Sequence, residues 1–213
     1  MADRSTELRV YLLLEDLQPQ FAAYLGTPTR ARGYPPYAGQ HSLIVEVAPG
    51  LAIERVTDLA LKSSDAVAPG ILFVERQFGV LELHGDDMDD VLAAGEALLA
   101  GIGRSPDDQL APKLAYSDVI DDLDDQHAII INRSREASMV LPGQSLLVVE
   151  TSPALFAAVA ANEAEKAAPG LTLVTVSMIG AAGRVYLSGD PDEVRAAQRR
   201  IDDVLGAIGG RAH

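Results

Sequence analysis

Two copies of a small α+β domain, each with helices against a mostly antiparallel sheet, are the fold class this chain of 213 residues predicts. Three observations carry that expectation. Short apolar runs bounded by turn residues alternate with stretches of helical period, the same order of segments occurs twice, and matching landmarks recur about one hundred positions apart.

In the first copy, residues 8–14 are mostly apolar and read as a strand, followed by a short helix over 17–25; its proline, Pro19, falls in the first turn, where the amide is unpaired anyway. Residues 28–40 carry prolines, glycines and arginines and read as a loop. A strand over 42–47 turns at Pro49-Gly50 into a helix over 51–62, with Ile53, Val56, Leu59 and Ala60 on one face. Residues 71–83 read as two short strands with the polar pair Glu75-Arg76 at the bend. Burying such a pair without partners would be costly, so the bend faces solvent or a charged partner. Gly85-Asp86 ends the hairpin, and Asp86 or Asp87 caps a helix whose apolar face is Val91, Leu92, Leu98, Leu99 and Ile102.

The order then repeats: a strand over 115–120, a Leu123-Asp124-Asp125-Gln126 segment where Leu17-Gln18-Pro19-Gln20 stood, a loop closing at Pro142-Gly143-Gln144, a strand over 145–151, a helix over 154–168, a hairpin over 171–187 and a final helix over 192–208. The second bend is Ser-Met-Ile-Gly-Ala-Ala-Gly. Residues 42–49 align with 145–153 with one insertion. From Pro49 the spacing is 104 and sets Lys62 on Lys166; between the Pro-Gly doublets at 69 and 169 it is 100; between the Gly-Asp doublets at 85 and 189 it is 104 again. This reading gives the first copy four extra residues before its hairpin and makes the second hairpin four residues longer. The expected domains are 1–104 and 113–213, joined by a linker over 105–112.

Composition narrows function by exclusion. A net charge of −14 and a pI near 4.5 repel phosphate backbones and anionic lipid, so neither a nucleic-acid nor a membrane partner is expected. Cysteine is absent, which removes disulfides, thiolate metal sites and cysteine nucleophiles. The N-terminal residues hold no apolar signal core and no stretch reaches membrane length, so a cytoplasmic protein is expected; few lysines against many arginines fit a GC-rich bacterial genome. There is no Gly-x-Ser-x-Gly elbow, no His-Glu-x-x-His and no phosphate loop, so no enzyme and no cofactor are expected. The aspartate clusters at 86–90 and 121–125 lack the calcium-loop pattern, since Gln126 and Asn132 stand where glycine and glutamate belong, and they read as solvated acidic faces. The histidines His41, His84, His127 and His213 lack ligand spacing and read as incidental, so no metal is expected.

Each copy resembles a bacterial microcompartment shell domain. The residues that carry the likeness are the strand over 145–151, the helix reaching Lys166, the strand over 171–176, the glycine-containing loop over 178–183, the strand closing in Gly189-Asp190 and the helix over 192–208. One further strand and helix, which come last in single-domain members, here come first, at 8–25 and 115–131. That order is similar to the circularly permuted tandem class, which includes tandem carboxysome and ethanolamine-utilisation shell proteins. The resemblance implies two ferredoxin-like shell domains and a homotrimer forming a pseudohexagonal plate with a pore on its threefold axis, in the shell of a cytoplasmic microcompartment. It places Glu75, Arg76, Gln77 and Phe78 at the pore from the first copy, and Met178, Ile179, Gly180, Ala181, Ala182 and Gly183 from the second. It assigns Lys62 and Lys166 to the plate edge. A Glu-Arg pair beside the pore matches the gated carboxysome-type member, while Ala181-Ala182 depart from the usual poly-glycine. Implied partners are the chain itself, with stacking of two trimers, single-domain hexameric and pentameric shell proteins, and small polar metabolites in transit. Mixed charge at such an opening suits polar metabolites better than gases. The competing reading is a duplicated ferredoxin-like small-molecule sensor or regulator.

Overall fold

The structure, a computed structural model, describes residues 5–27 and 33–213, the side chain of Glu75 excepted. The chain divides into two compact units: one runs to Ala111 and takes in Gly209–His213, and the other is Pro112–Ile208. Residues 105–111, read as linker, therefore belong to the first unit. They form a 3-10 turn at Pro106–Asp108, and the Gln109 side chain accepts a hydrogen bond from the Tyr11 amide at 3.0 Å. The tail joins the same unit through a parallel bridge between Leu110 and Arg211.

The first unit runs β1 (Glu7–Leu14), α1 (Pro19–Leu25), β2 (His41–Ala48), α2 (Ala52–Leu61), β3 (Ala68–Glu75), β4 (Phe78–Gly85) and α3 (Met88–Ile102). The second runs β5 (Lys113–Ile120), α4 (Asp125–Ser134), β6 (Ser145–Ser152), α5 (Phe156–Ala167), β7 (Thr172–Ser177), β8 (Gly183–Gly189) and α6 (Pro191–Ala207). Each builds an antiparallel four-stranded sheet, ordered β1-β2-β4-β3 and β5-β6-β8-β7. This is the expected α+β class and the expected element order.

Alternation along the strands decides what is buried. In the first unit Leu43, Val45, Leu81 and Leu83 point to one face and meet Ile53 and Val56 of α2 and Val91 and Leu98 of α3. Each such side chain, removed from water, contributes about 1.5–3 kcal/mol. In the second unit α5 packs against α6, and its alanine-rich sequence is buried on every side. The aspartate clusters read as solvated faces also supply helix starts: Asp87 and Asp124 accept hydrogen bonds from the first-turn amides of α3 and α4, and Asp190 does the same for α6.

The ladders correct the repeat alignment. His41 pairs with Gly85 and Ser145 with Gly189, so Ser145 is the counterpart of His41, not of Ser42, and the strand needs no insertion. Pro69 pairs with Leu83 and Leu173 with Leu187, so Pro69 corresponds to Leu173 and the Pro169-Gly170 doublet is not equivalent to Pro69-Gly70. The spacing stays at 104 from β2 through β8, and the two hairpins are equal in length. A Pro-Gly doublet marks a turn, and turns drift along a loop while register does not. The landmarks at Leu17 and Leu123 do agree: each donates its amide to the carbonyl of Gln40 or Gln144 and accepts from Gly39 or Gly143.

One close approach is shared. A Cβ on Gly79 would fall on the carbonyl oxygen of Gly50, and a Cβ on Gly183 on that of Ala154, both well inside van der Waals contact. These glycines let the second strand of each hairpin lie on the turn that opens α2 or α5. Gly79→Ala and Gly183→Ala should each cost about 1–3 kcal/mol, read as a lower urea midpoint. Gly206→Ala, where nothing lies within 4 Å, should leave the midpoint unchanged or raise it.

Candidate functional site: two hairpins, an edge and an apolar face

The sequence-expected site residues lie on two hairpins that are equivalent in register and different in pairing. In the first, the ladder continues through Val74–Gly79 to Glu75–Phe78, leaving a two-residue turn of Arg76 and Gln77. Arg76 takes the left-handed conformation (φ 54°) that a tight hairpin turn requires. Arg76 and Gln77 are exposed, and Phe78 is half-buried. The side chain of Glu75 lies outside the described residues, so its part in a gate is not placed. The turn borders a groove of about 650 Å³ lined by Pro49, Gly50, Leu51, Val74, Arg76 and Gln77.

In the second hairpin pairing stops two rungs earlier, at Ser177–Arg184. The freed residues form an open loop. Met178 is buried (2% exposed), Ile179 and Ala182 are half-buried, Gly180 and Ala181 are exposed, and Gly183 is buried at the start of β8. Gly180 (φ 114°) has no neighbour near its Cβ position, so its backbone conformation, not crowding, calls for glycine there. Of the six residues expected at the pore from this copy, Gly180 and Ala181 are the ones that reach solvent freely.

Beside each hairpin stands an equivalent glutamate, 104 positions apart in the two copies. Glu46 and Glu150 each pair with an arginine from a different strand: Arg9 of β1 donates from Nε to Glu46 at 2.8 Å, and Arg184 of β8 donates from Nε to Glu150 at 2.8 Å. Burial pushes the Glu46 carboxyl up despite Arg9.

The two edge lysines differ as well. Lys62 is exposed and pairs with Asp58 one helical turn back at 2.7 Å. Lys166 is largely covered and lies 2.8 Å from Glu163, which Arg200 also engages. Burial raises the Glu163 carboxyl, but the ammonium of Lys166 and the guanidinium of Arg200 outweigh it and hold it below its ordinary value.

Sequence reasoning missed two features. His84, read as incidental, is buried with its Nδ1 3.2 Å from Glu82, whose other oxygen accepts from the Ser42 hydroxyl at 2.6 Å. The alternation of β4, which puts Glu82 and His84 on one face, was the signal available. The second is an apolar surface on the second unit: Tyr116, Ile129, Ile130, Met139 and Leu141 are 50–63% exposed. Their neighbourhood includes a cavity of about 530 Å³ lined by Tyr116, Ile120, His127, Ile131, Val148 and Tyr186. The equivalent positions of the first unit, Val10 for Tyr116 and Tyr24 for Ile130, are 0% and 2% exposed within the chain. Among the described residues no cluster of His, Asp and Glu could hold a metal ion, and no helix is long and apolar enough to cross a membrane.

Comparison with known proteins places this architecture. A family profile described as the CsoS1D N-terminal domain matches residues 8–108. The carboxysome shell protein CcmP of Synechococcus elongatus is 41% identical over 207 residues, spanning 97% of this chain and 95% of that protein. Among solved structures, the double-ringed trimeric shell protein MSM0271 from the RMM microcompartment superposes with a TM-score of 0.93 at 63% identity, over 98% of this chain and 100% of its own. The fused permuted hexameric shell protein MSM0275 of the same microcompartment gives 0.91 at 49% identity, over 96% and 99%.

The contrast at the edge is testable by stability. Lys62→Ala, at an exposed pair, should shift stability by no more than about 0.5 kcal/mol. Glu163→Gln should destabilise the protein near neutral pH. Because the folded state holds the Glu163 carboxyl low, its contribution is present above the unfolded carboxylate range and lost as pH falls through the folded value. Urea midpoints of wild type and Glu163→Gln should therefore converge on acidification; a gap constant with pH would contradict the ion-pair account.

Proposed function

Because the chain belongs to the tandem-domain bacterial microcompartment shell proteins, we propose that it is a structural subunit of such a shell in the bacterial cytoplasm, three copies closing into a pseudohexagonal plate around a central pore. The observation that carries this is the agreement over nearly the whole chain with a trimeric shell protein at 63% identity.

The surface chemistry supports it. Tyr116, Ile129 and Ile130 form an apolar face, and the first-unit counterparts of Tyr116 and Ile130, Val10 and Tyr24, are buried within the chain. An exposed patch of this kind marks an interaction surface. A second copy of the chain covers it, and a head-to-tail contact of that sort closes into a ring. The exposed Lys62 lies at the plate's rim, where the plate meets its single-domain hexameric and pentameric neighbours. Two trimers stack, as in the double-ringed relative. The role is structural and needs no chemical step.

The hairpin tips line the pore. Three Glu75-Arg76 pairs around the axis either engage one another and fill the opening or separate and line it with mixed charge. A gap of only a few kcal/mol between the two arrangements keeps both populated. Small polar metabolites pass the open form.

Native mass measurement should give three or six chains for the wild type and single chains for Ile130→Asp, with folding intact by circular dichroism. A monomeric wild type, or an Ile130→Asp trimer, would remove this interface. Glu75→Ala with Arg76→Ala should leave trimers whose central opening, seen by cryo-electron microscopy, is wider than that of closed wild type. An unchanged opening would rule out the pair as a gate.

A further inference from the structure

The two hairpins form an internal control. They are equal in length and share register, yet the first keeps two rungs, Val74–Gly79 and Glu75–Phe78, that the second lacks. Something holds the first tip closed that is missing from the second.

The difference lies on the sheet face opposite α2 and α3. A bulge in β1 lies between Leu8, which pairs with Val47, and Val10, which pairs with Glu46. Arg9 is the extra residue, and a bulge turns its side chain to the same face as Val10. There its Nε donates to Glu46 at 2.8 Å, and the guanidinium carbon sits 3.9 Å from the centre of the Phe78 ring. Arg9 is mostly shielded and Glu46 nearly fully so, and a guanidinium stacked on an aromatic face and paired with a carboxylate is held in place by both contacts. The backbone is fixed as well, because the Arg9 carbonyl accepts from the Leu110 amide at 3.0 Å. A second carboxylate, Glu7, lies 3.8 Å from Arg9 and is itself engaged by Arg211 of the tail. In the second unit β5 has the same bulge, between Leu114 and Tyr116, but its extra residue is Ala115. The position of Phe78 is taken by Ala182, and the glutamate draws its arginine from β8 instead. Without a cation on the bulge and a ring at the tip, that hairpin opens at Ser177.

We infer that Arg9 is the positioning residue of the first hairpin: wedged between the Glu46 carboxylate and the Phe78 ring, it holds the last two rungs closed and so presents the Glu75-Arg76 turn. The clamp rests on the pore reading only for its consequence, since the pairing it protects is a property of the first unit.

Amide hydrogen exchange on the assembled protein reads the clamp directly. Removing Arg9 alone would strand a buried carboxylate, so Arg9→Ala is combined with Glu46→Gln. Exchange across residues 73–80 should speed up about tenfold or more in that variant, while 177–184 stays unchanged. Phe78→Leu, which keeps the ion pair and the bulk but removes the ring, should loosen the same segment, and Arg9→Lys should fall between. If both Arg9→Ala/Glu46→Gln and Phe78→Leu exchange residues 73–80 within about twofold of wild type, the clamp is wrong whatever the pore does. Entry of a small polar solute into assembled shells separates the two ideas. Loosened exchange with altered entry supports clamp and pore together. Loosened exchange with unaltered entry keeps the clamp and sinks the pore reading.

Discussion

The contact between each hairpin and the turn before its helix constrains both units in the same way. With Gly79 against the Gly50 carbonyl and Gly183 against that of Ala154, the second strand of the hairpin has one place to lie. That placement sets the register of β4 on β2 and of β8 on β6, and through it which residues face the helices and which face away. A side chain at either glycine would press on the carbonyl it faces and push the strand away from the turn. Because the same approach is met in both units at the same spacing, the duplicated design is visible in backbone geometry even where side chains have diverged.

The divergence is concentrated around that fixed contact. The first copy carries Arg9, Glu46 and Phe78 on one sheet face and ends in a tight two-residue turn; the second carries Ala115, Glu150 and Ala182 and ends in an open loop. Lys62 stands in solvent and Lys166 is drawn in by Glu163. Val10 and Tyr24 are buried in the first unit, and their counterparts in the second, Tyr116 and Ile130, are apolar and exposed. A doubled domain that kept both copies identical would offer six like tips and six like edges to an assembly. These substitutions make alternate positions unlike, with the changes confined to side chains on a shared frame.

Much of this was legible in the chain itself. Apolar periodicity marks β2, β4, α2 and α3, because their core-facing residues recur at the spacing their geometry demands. Asp87 announces its helix by the capping chemistry of a short carboxylate. Register was less legible. The Pro-Gly doublets at 69 and 169 look equivalent and are not, since they report a turn's composition, whereas pairing is decided by the hydrophobic pattern of the strands around it. Arg9 was hidden for a related reason: inside an apolar run it reads as an interruption, and only the bulge reveals that it faces the same way as Val10. His84 looked incidental because no ligand partner lies near it in sequence; its partners, Glu82 and Ser42, are brought to it by alternation and cross-strand pairing.

The stretch from Gly209 to His213 packs not with the helix it follows but beside Leu110 and Ala111 of the first unit. During synthesis on the ribosome this stretch emerges after all of the second unit. The first unit can collapse early around α2 and α3, but its Glu7–Arg211 pair and its parallel bridge wait for residues made after the second unit. The early-made half thus stays unfinished until the later half has been delivered, which ties the maturation of the two copies into a single event.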